Sequence, residues 1–326
     1  MRLFITNLQS LLSIILLFFV TASCSTETAI QDNFPEPGLH SFQFESDGLD
    51  RDYFIYLPAG YDSARNYPVI FLFHGGGGQA MGIFEEGPWP DVADERGFVL
   101  IVPEGTRGNP DRPASFANNP QSWNDGSDRE ALGAVERDVD DVAFVRALID
   151  DVRNRLGSEP RALFATGFSN GASMSFRVAR ELDGRFTAIA PVAGSDWLPE
   201  LIPDNPPPVL YITGTEDPLN PFEGGNITLG GNFYGTKPPV EEMISEWAML
   251  HNCSDTAETE TIGDTRKYDY NCPSSPDPVS MLALIGHGHH WPGADTQLPR
   301  FIAGPNSTDL NATETIMEFF DSFMDE

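Results

Sequence analysis

The chain has few basic residues and little else that would attract a polyanion. Its 19 lysines and arginines stand against 49 acidic residues, so 326 residues carry a formal net charge of −30. A nucleic-acid-binding protein needs a basic face for the phosphate backbone, so the composition argues against nucleic acid as a partner. So much acid is typical of a heavily solvated surface. A cation-binding role lacks support, because no D-x-D-x-D-G loop occurs.

Long apolar runs are also scarce, and the longest lies near the N-terminus. Leu11–Val20 follows Arg2 and is too short to span a bilayer, which takes about 20 residues, but it suits the core of a signal peptide. Small residues then lead to Cys24, which resembles the lipobox of bacterial lipoproteins, where the thiol is acylated. We expect residues 1–23 to be a lipoprotein-type signal peptide, Cys24 the lipidation site and residues 24–40 a flexible tether. The alternative is an ordinary secretory signal.

Both signals predict export. A lipidated chain would be anchored to the outer face of a membrane, at the bacterial cell surface or facing the periplasm, whereas a cleaved chain would be extracellular. Cysteine is rare as well, with only three in the chain. Apart from Cys24, the even pair Cys253 and Cys272 predicts one disulfide, because exported domains fold under oxidising conditions. Closing a loop of this length contributes about 3 kcal/mol in the chain-entropy model.

From residue 41 onwards, apolar segments suited to strands alternate with amphipathic segments suited to helices. Strands are predicted at Ser41–Phe44, Asp52–Leu57, Pro68–Phe73, Phe98–Val102, Ala162–Ala165, Ala188–Val192, Pro208–Thr213 and Val279–Ile285. Helices are predicted at Asp91–Arg96, Asp138–Leu156, Ala172–Ala179, Val240–Leu250 and Thr313–Phe323, with a long loop over Gly105–Ser127. Solid apolar strands alternating with helices predict the α/β class, with a mostly parallel central sheet and helices on both faces. No repeat or break in composition divides residues 41–326, which we interpret as one domain.

The most informative motif is Gly167-Phe168-Ser169-Asn170-Gly171, which lies between a predicted strand and a predicted helix. In that context G-x-S-x-G forms a nucleophile elbow, a tight turn that holds the serine in a strained conformation and exposes its hydroxyl. The flanking glycines are expected because side chains there would collide with the neighbouring strand and helix. Ser169 is therefore the candidate nucleophile.

A serine hydroxyl becomes nucleophilic when a base, oriented by a carboxylate, accepts its proton. The α/β-hydrolase order is Ser, then Asp or Glu, then His, each following a strand. Two adjacent carboxylates, Glu216 and Asp217, follow the strand Pro208–Thr213. We favour Asp217, since it precedes Pro218 in a turn of the kind that points a carboxylate into the site.

Histidines are concentrated after the last predicted strand, at His287, His289 and His290. Such a run could chelate zinc, but no second cluster of ligands at suitable spacing accompanies it, so we predict no metal. The alternative is a general base on a loop above the sheet. Adjacent side chains point in opposite directions, so these residues alone leave His289 and His290 both open.

An oxyanion hole needs preorganised N–H donors, each of which contributes about a hundredfold or more in rate. The N–H of Asn170, at the start of a helix, is one candidate donor. The glycine-rich loop from His74 to Gly78 supplies the other, with Gly75 and Gly76 as the candidates, because glycine lets the backbone approach a substrate closely. A plain flexible loop is the alternative. A phosphate loop is disfavoured because no G-K-[ST] follows.

Taken together, the sequence resembles the feruloyl esterase and polyhydroxybutyrate depolymerase family of secreted α/β-hydrolases over most of residues 50–322. The matching segments are His74–Gly78, Ser122–Asn124, Asp140–Phe144, Gly167–Met174, Gly214–Asp217, the Cys253 and Cys272 pair, Gly288–Gly293 and Asn311–Glu314. The family's G-H-x-W-P-G histidine is the base, which selects His289. The resemblance thus implies a Ser169, Asp217 and His289 triad. It also suggests that Trp123 and Trp291 line the substrate pocket, with core packing as the alternative.

One departure concerns the glycine-rich loop, where many relatives have a cysteine and this chain has Gly76 and Gly77. The resemblance implies an exported serine carboxylesterase that works through an acyl-enzyme and needs no cofactor. Feruloyl or acetyl esters of polysaccharide are the expected substrates, and a polyhydroxybutyrate or other polyester is the alternative. A peptidase is disfavoured by the lack of a cap domain. A non-catalytic binding protein on a hydrolase scaffold is the remaining possibility.

Overall fold

A computed structural model describes residues 36–116, 118–229, 232–274, 276–294, 298–306, 308 and 310–324. The predicted signal peptide and Cys24 lie outside these residues, and so does the predicted tether up to residue 35. The first strand begins at Gly38, inside the segment that the sequence assigned to the tether. In the described part of the chain, no helix is long and apolar enough to cross a membrane.

The central sheet has ten strands, parallel in the middle and antiparallel at both edges. The strands of the chain are β1 (Gly38–Ser46), β2 (Leu49–Leu57), β3 (Val69–Phe73), β4 (Val99–Pro103), β5 (Thr106–Arg107), β6 (Gln121–Ser122), β7 (Leu163–Phe168), β8 (Ala188–Val192), β9 (Val209–Gly214), β10 (Gly225–Leu229), β11 (Asn232–Lys237), β12 (Glu258–Ile262), β13 (Thr265–Asp269) and β14 (Val279–Leu284). Their order in the sheet is β1-β2-β4-β3-β7-β8-β9-β14-β13-β12. Neighbours from β4 to β14 pair in parallel, which confirms the predicted mostly parallel sheet.

Helices cover both faces of this sheet. They are α1 (Ala80–Glu86), α2 (Trp89–Arg96), α3 (Gly133–Glu136), α4 (Asp141–Leu156), α5 (Asn170–Glu181), α6 (Val240–Leu250), α7 (Arg300–Ala303) and α8 (Ala312–Asp321). Successive residues of β3 divide between the two layers: Phe71 belongs to the core under α4, α5 and α6, whereas Leu72 belongs to the core under α1, α2 and α8. A strand buried on both faces reads as a continuous apolar run for this reason.

The elements that the sequence did not predict are short, exposed or both. Every residue of β12 is exposed, so its sequence ETETI has no apolar face to reveal it. The pair β5–β6 forms a small two-stranded sheet within the predicted loop Gly105–Ser127, and β10–β11 forms another in a segment for which the sequence predicts no element. The predicted helix from Asp138 begins instead at Asp141, because the Asp140 side chain accepts a hydrogen bond from the N–H of Ala143 and caps the helix.

The predicted disulfide is confirmed: Cys253 and Cys272 are bonded, with an S–S distance of 2.08 Å. Cys253 lies just after α6 and Cys272 just after β13, so the bridge ties a helix to an edge hairpin. The topology matters more for function. Strands β3 and β7 are neighbours, and so are β9 and β14, so the loops at their carboxyl ends gather at one edge of the sheet.

Candidate active site

Ser169 lies in the turn between β7 and α5, and its backbone has a conformation that residues other than glycine rarely adopt. Its φ is 55° and its ψ is −118°. Such a backbone costs on the order of 1–3 kcal/mol and persists only where the surroundings enforce it. Two backbone hydrogen bonds do so: the Ser169 N–H donates to the carbonyl of Val192 on β8 (2.9 Å), and the Ser169 carbonyl accepts from Ser173 on α5 (3.0 Å).

The two glycines of the motif are required by space. A Cβ at Gly167 would lie 2.6 Å from the carbonyl oxygens of both Phe73 and Gly171. A Cβ at Gly171 would lie 2.2 Å from the Phe73 oxygen and 2.5 Å from the His74 oxygen. The predicted collision with neighbouring backbone is therefore confirmed, and β3 is the strand against which the turn packs.

Asp217 and His289 form a buried pair. His289 Nδ1 donates to Asp217 Oδ2 at 2.6 Å, and the two side chains are 3% and 0% exposed. The other carboxylate oxygen, Oδ1, accepts the N–H groups of Leu219 (2.8 Å) and Asn220 (2.7 Å). These three hydrogen bonds fix the carboxylate and orient the imidazole. Nε2 is the ring nitrogen that does not take part in them.

Hydrogen bonds between the loop after β9, which carries Asp217, and the loop after β14, which carries His289, bring this pair together. The Glu216 N–H donates to the His287 carbonyl (2.9 Å), and the Gly286 N–H donates to Thr215 Oγ1 (3.0 Å). Gly288 allows the loop after β14 to pass close to the end of α7, because a Cβ there would lie 2.1 Å from the Ala303 carbonyl. Since β9 and β14 are adjacent and parallel, the loops that follow them are forced to meet.

The structure distinguishes the members of two pairs of adjacent residues, His289 and His290, and Glu216 and Asp217. His290 Nε2 donates to the Gly304 carbonyl (3.2 Å), away from Asp217, and burial lowers the pKa of its imidazole. Glu216 lines a different surface cleft, together with Arg300 and Asn306. His289 and Asp217 are thus the members of each pair that contact one another.

A cavity of about 340 Å³ opens over Ser169 and His289, with Gly75 and Gly76 in its wall. Its size falls in the range of small-molecule sites. The apolar part of its lining consists of Ile83, Phe116, Phe168, Leu219, Leu298 and Ile302. The ring of Phe168 packs against His289 at 4.7 Å between centroids, tilted by 38°, so this neighbour of the serine also contacts the imidazole.

The glycine-rich loop presents its first glycines to the candidate nucleophile. A Cβ at Gly75 would lie 3.4 Å from the Ser169 Cβ. The N–H groups of Gly77 and Gly78 are already donated, to the Gln121 and Gly75 carbonyls. Gly75 and Gly76 both line the cavity with Ser169 and stay the candidate oxyanion donors of this loop.

The side chain of Asn170 connects the turn to a second loop, which the sequence did not reveal. Its Oδ1 accepts the Trp123 N–H (2.8 Å), and its Nδ2 donates to the Trp123 carbonyl (3.1 Å) and to Asp125 Oδ2 (2.7 Å). Asp125 is fully buried and also pairs with Arg129. The sequence carries no signal for this role, because the burial of Asp125 follows from the fold.

The suggestion that Trp123 and Trp291 line the substrate pocket is corrected, because both rings are buried at 0% and 1% exposure. Trp123 Nε1 donates to the His74 carbonyl (2.9 Å), and Trp291 Nε1 donates to Thr313 Oγ1 (3.2 Å). Neither residue lines the cavity over Ser169. The alternative reading, core packing, is the one the structure supports, with Trp123 also fixing the start of the glycine-rich loop.

Within the described residues, no group of three or more His, Cys, Asp or Glu side chains is arranged to hold a metal ion. The histidine run is occupied in other ways. His289 pairs with Asp217, His290 with the Gly304 carbonyl, and His287 Nε2 lies 3.3 Å from the His290 carbonyl.

A tight serine turn, a His–Asp pair and a glycine-rich loop at one edge of a mostly parallel sheet are the architecture of the α/β-hydrolase fold. Among solved structures, the fold matches acetyl xylan esterase from Aspergillus awamori with a TM-score of 0.56 and 14% identity, over 77% of this chain and 94% of that one. No protein-family profile matches the chain.

Among curated proteins, the chain is 27% identical over 267 residues to a Nocardia uniformis subsp. tsuyamanensis protein named as an esterase, NocK, covering 77% of this chain and 73% of that protein. It is 25% identical over 249 residues to feruloyl esterase B of Piromyces equi, covering 73% of this chain. The chain spans only 42% of that enzyme's length. The chain is thus similar, at 25–27% identity, to proteins named as esterases.

Proposed function

We propose that the protein is a serine carboxylesterase that cleaves its substrate through an acyl-enzyme. The observation that carries this proposal is the strained Ser169 turn sharing one cavity with His289, whose Nδ1 is held by Asp217. The esterase names of its relatives support the same reaction class.

In the proposed reaction, His289 Nε2 accepts the proton of Ser169 Oγ as the oxygen attacks the ester carbonyl. Asp217 keeps the proton of His289 on Nδ1 and stabilises the imidazolium that forms. The developing oxyanion accepts hydrogen bonds from the backbone N–H groups of Asn170 and of Gly75 or Gly76. His289 then protonates the departing alcohol, and the Ser169 ester remains.

Deacylation repeats these steps with water in place of the alcohol. His289 takes a proton from water, the resulting hydroxide attacks the acyl carbon, and the proton returns to Ser169 Oγ as the acid leaves. The chain's own residues supply every acid, base and donor that this sequence of steps uses.

For the substrate we favour feruloyl or acetyl esters of polysaccharide. The apolar lining around Ser169, with Ile83, Phe116 and Leu219 among its members, suits an aromatic acyl group, and the name of the Piromyces equi relative supports a feruloyl ester. A polyester is the second candidate. It is favoured by exposed apolar side chains: the cavity residue Phe116 is 53% exposed, and Phe301, which precedes the cavity residue Ile302 in the chain, is 88% exposed.

We also propose that the enzyme acts outside the cytoplasm, anchored through a lipid on Cys24. The support is the sequence of the signal segment and the Cys253–Cys272 disulfide, which suits an oxidising compartment. In a bacterial host, Cys24→Ala should abolish labelling by a radioactive fatty acid and move the protein from the membrane fraction. Unchanged fatty-acid labelling in this variant would remove Cys24 as the lipidation site.

Hydrolysis of p-nitrophenyl acetate tests the reaction class. Ser169→Ala is expected to lower kcat by about 10⁴-fold or more, whereas Ser41→Ala, an exposed control on β1, should leave it unchanged. Full activity in Ser169→Ala would refute the assignment. A panel of methyl ferulate, acetylated xylan and a hydroxybutyrate oligomer then distinguishes the substrates, with the highest kcat/KM expected for methyl ferulate.

A further inference from the structure

One of the chain's two lysines, Lys237, is buried behind the Asp217 carboxylate. The sequence uses arginine for 17 of its 19 basic residues, and its other lysine, Lys267, is exposed on β13. Lys237 is only 3% exposed. It ends the hairpin β10–β11, which the sequence did not predict. Burying an ammonium is costly unless it has partners, so its position calls for an explanation.

Lys237 is connected to Asp217 through a single residue, Asn220. The Lys237 Nζ donates to Asn220 Oδ1 at 2.8 Å and to the Pro221 carbonyl at 3.3 Å. The backbone N–H of the same Asn220 donates to Asp217 Oδ1 at 2.7 Å. The lysine therefore holds the turn that holds the carboxylate.

The Asn220 amide has one possible orientation in this network. Its Oδ1 also accepts from Ser195 Oγ (3.1 Å), while its Nδ2 donates to Tyr211 OH (2.8 Å) and lies 3.3 Å from Thr213 Oγ1. All of these groups are buried. A fully satisfied buried network is rigid, because each group that moved would lose its partner in a low-dielectric interior.

The charges in this network are coupled. Burial lowers the pKa of Lys237 to about 7, and the Asp217 carboxylate opposes that shift because it favours the ammonium form. The other titratable group in the network is Tyr211, and burial raises the pKa of its hydroxyl, so it stays neutral. The ammonium form of Lys237 and the Asp217 carboxylate therefore favour one another, with Asn220 between them.

We propose that Lys237 is a positioning residue for the reaction, which acts through Asn220 and through its charge to hold Asp217 as an oriented carboxylate. The proposal rests on the proposed function, in which Asp217 holds the base. Lys237 is not among the residues that line the cavity over Ser169, so it has no contact with the ester. Its effect is on kcat, through the geometry of His289, and not on binding.

The first test is a double-mutant cycle. Lys237→Met is expected to lower kcat on p-nitrophenyl acetate by about tenfold to a hundredfold with KM unchanged, whereas Lys267→Met changes neither. In an Asp217→Asn background, Lys237→Met should cause less than about a twofold further loss, because the residue through which it acts is already disabled. An equal loss in both backgrounds would mean a general structural role and would overturn the proposal.

The second test needs neither activity nor a lysine substitution at the site. In a Lys267→Arg variant, Lys237 is the only lysine, so labelling with [15Nζ]lysine gives one side-chain signal to titrate by NMR. Replacing Asp217 with Asn should lower the midpoint by about one pH unit, a tenfold change in proton affinity, since it removes the anion that favours the ammonium. A midpoint that does not move would overturn the proposal even if Lys237→Met failed to fold.

These measurements separate the two hypotheses. If Ser169→Ala kept its activity while the Lys237 midpoint still responded to Asp217→Asn, the proposed function would fail and the coupling would remain. If Ser169→Ala were inactive and the midpoint did not respond, the positioning role would fail alone.

Discussion

The two halves of the candidate site are built by different means. The nucleophile half, around Ser169, is held by backbone contacts and by the absence of side chains at Gly167 and Gly171. The acid–base half is held by side chains that come from distant parts of the chain, with Asp217 and His289 separated by 72 residues. The first half depends mainly on space and backbone hydrogen bonds, with the Asn170 side chain as an added anchor, and the second depends on charge and side-chain hydrogen bonds.

This difference determines which substitutions each half tolerates. In the nucleophile half, even one added methyl group collides with backbone that cannot move. In the acid–base half, a substitution of equal size that changes one polar atom removes the function and leaves the packing intact. Glycine substitutions in the first half should therefore act mainly on folding, and polar substitutions in the second should act mainly on rate.

Gly171→Ala should have the largest effect, because its Cβ would lie 2.2 Å from the Phe73 carbonyl. We expect the free energy of unfolding to fall by about 3 kcal/mol or more and esterase activity to be lost. Urea unfolding followed by circular dichroism measures the change. Gly60→Ala is the matched control, since no atom lies within 4 Å of its added Cβ. Equal stability of the two variants would show that the turn can move away from β3.

Asp217→Asn should instead lower kcat by about 10³–10⁴-fold, because an amide no longer fixes the tautomer of His289 or stabilises its imidazolium, and should lower the free energy of unfolding by about 1.5–3 kcal/mol. The adjacent Glu216→Gln is the control and should retain full kcat, since the Glu216 side chain lies at another cleft. Stopped-flow or steady-state kinetics on p-nitrophenyl acetate give both values. A larger loss in Glu216→Gln would reverse the assignment of the acid.

The same contrast explains what the sequence could predict. The Ser169 turn, its glycines and the strands beside it were predicted because their signals are local: an apolar run, a five-residue motif and a helical pattern. The order of Asp217 and His289 was predictable from the α/β-hydrolase order, but the choice of His289 needed the family resemblance. Sequence could not supply it because adjacent residues differ only in the direction that the folded loop gives them.

The supporting residues were not predicted, for a physical reason. Asp125, Asn220 and Lys237 lie in segments without apolar periodicity, and polar residues in such segments are ordinarily solvated. Their burial follows from the packing of loops over the sheet edge. For Trp123 and Trp291 the prediction was wrong in the opposite direction. Their place beside motif residues suggested contact with substrate, whereas both rings are buried in the core.

Asp125→Asn tests whether the nucleophile half also relies on charge. Its Oδ2 accepts from Asn170 Nδ2 at 2.7 Å and pairs with Arg129 in the interior. We expect kcat to fall by about tenfold to a hundredfold and the free energy of unfolding to fall by about 1.5–3 kcal/mol, the range for a hydrogen bond to a charged group. The exposed Asp128→Asn is the control. Unchanged kinetics would show that backbone contacts alone hold the turn.

Trp291→Phe should have the smallest effect of the four substitutions. Trp291 lies between the nucleophile half and the acid–base half. The Trp291 ring packs at 6.4 Å from Phe168, whose own ring lies against His289. Phenylalanine keeps the apolar contact and loses the hydrogen bond to Thr313, so we expect a loss of about 1 kcal/mol in stability. Because the ring is buried, kcat/KM for methyl ferulate should stay within about twofold. A tenfold fall in kcat/KM without a fall in Tm would mean that Trp291 contacts the substrate after all.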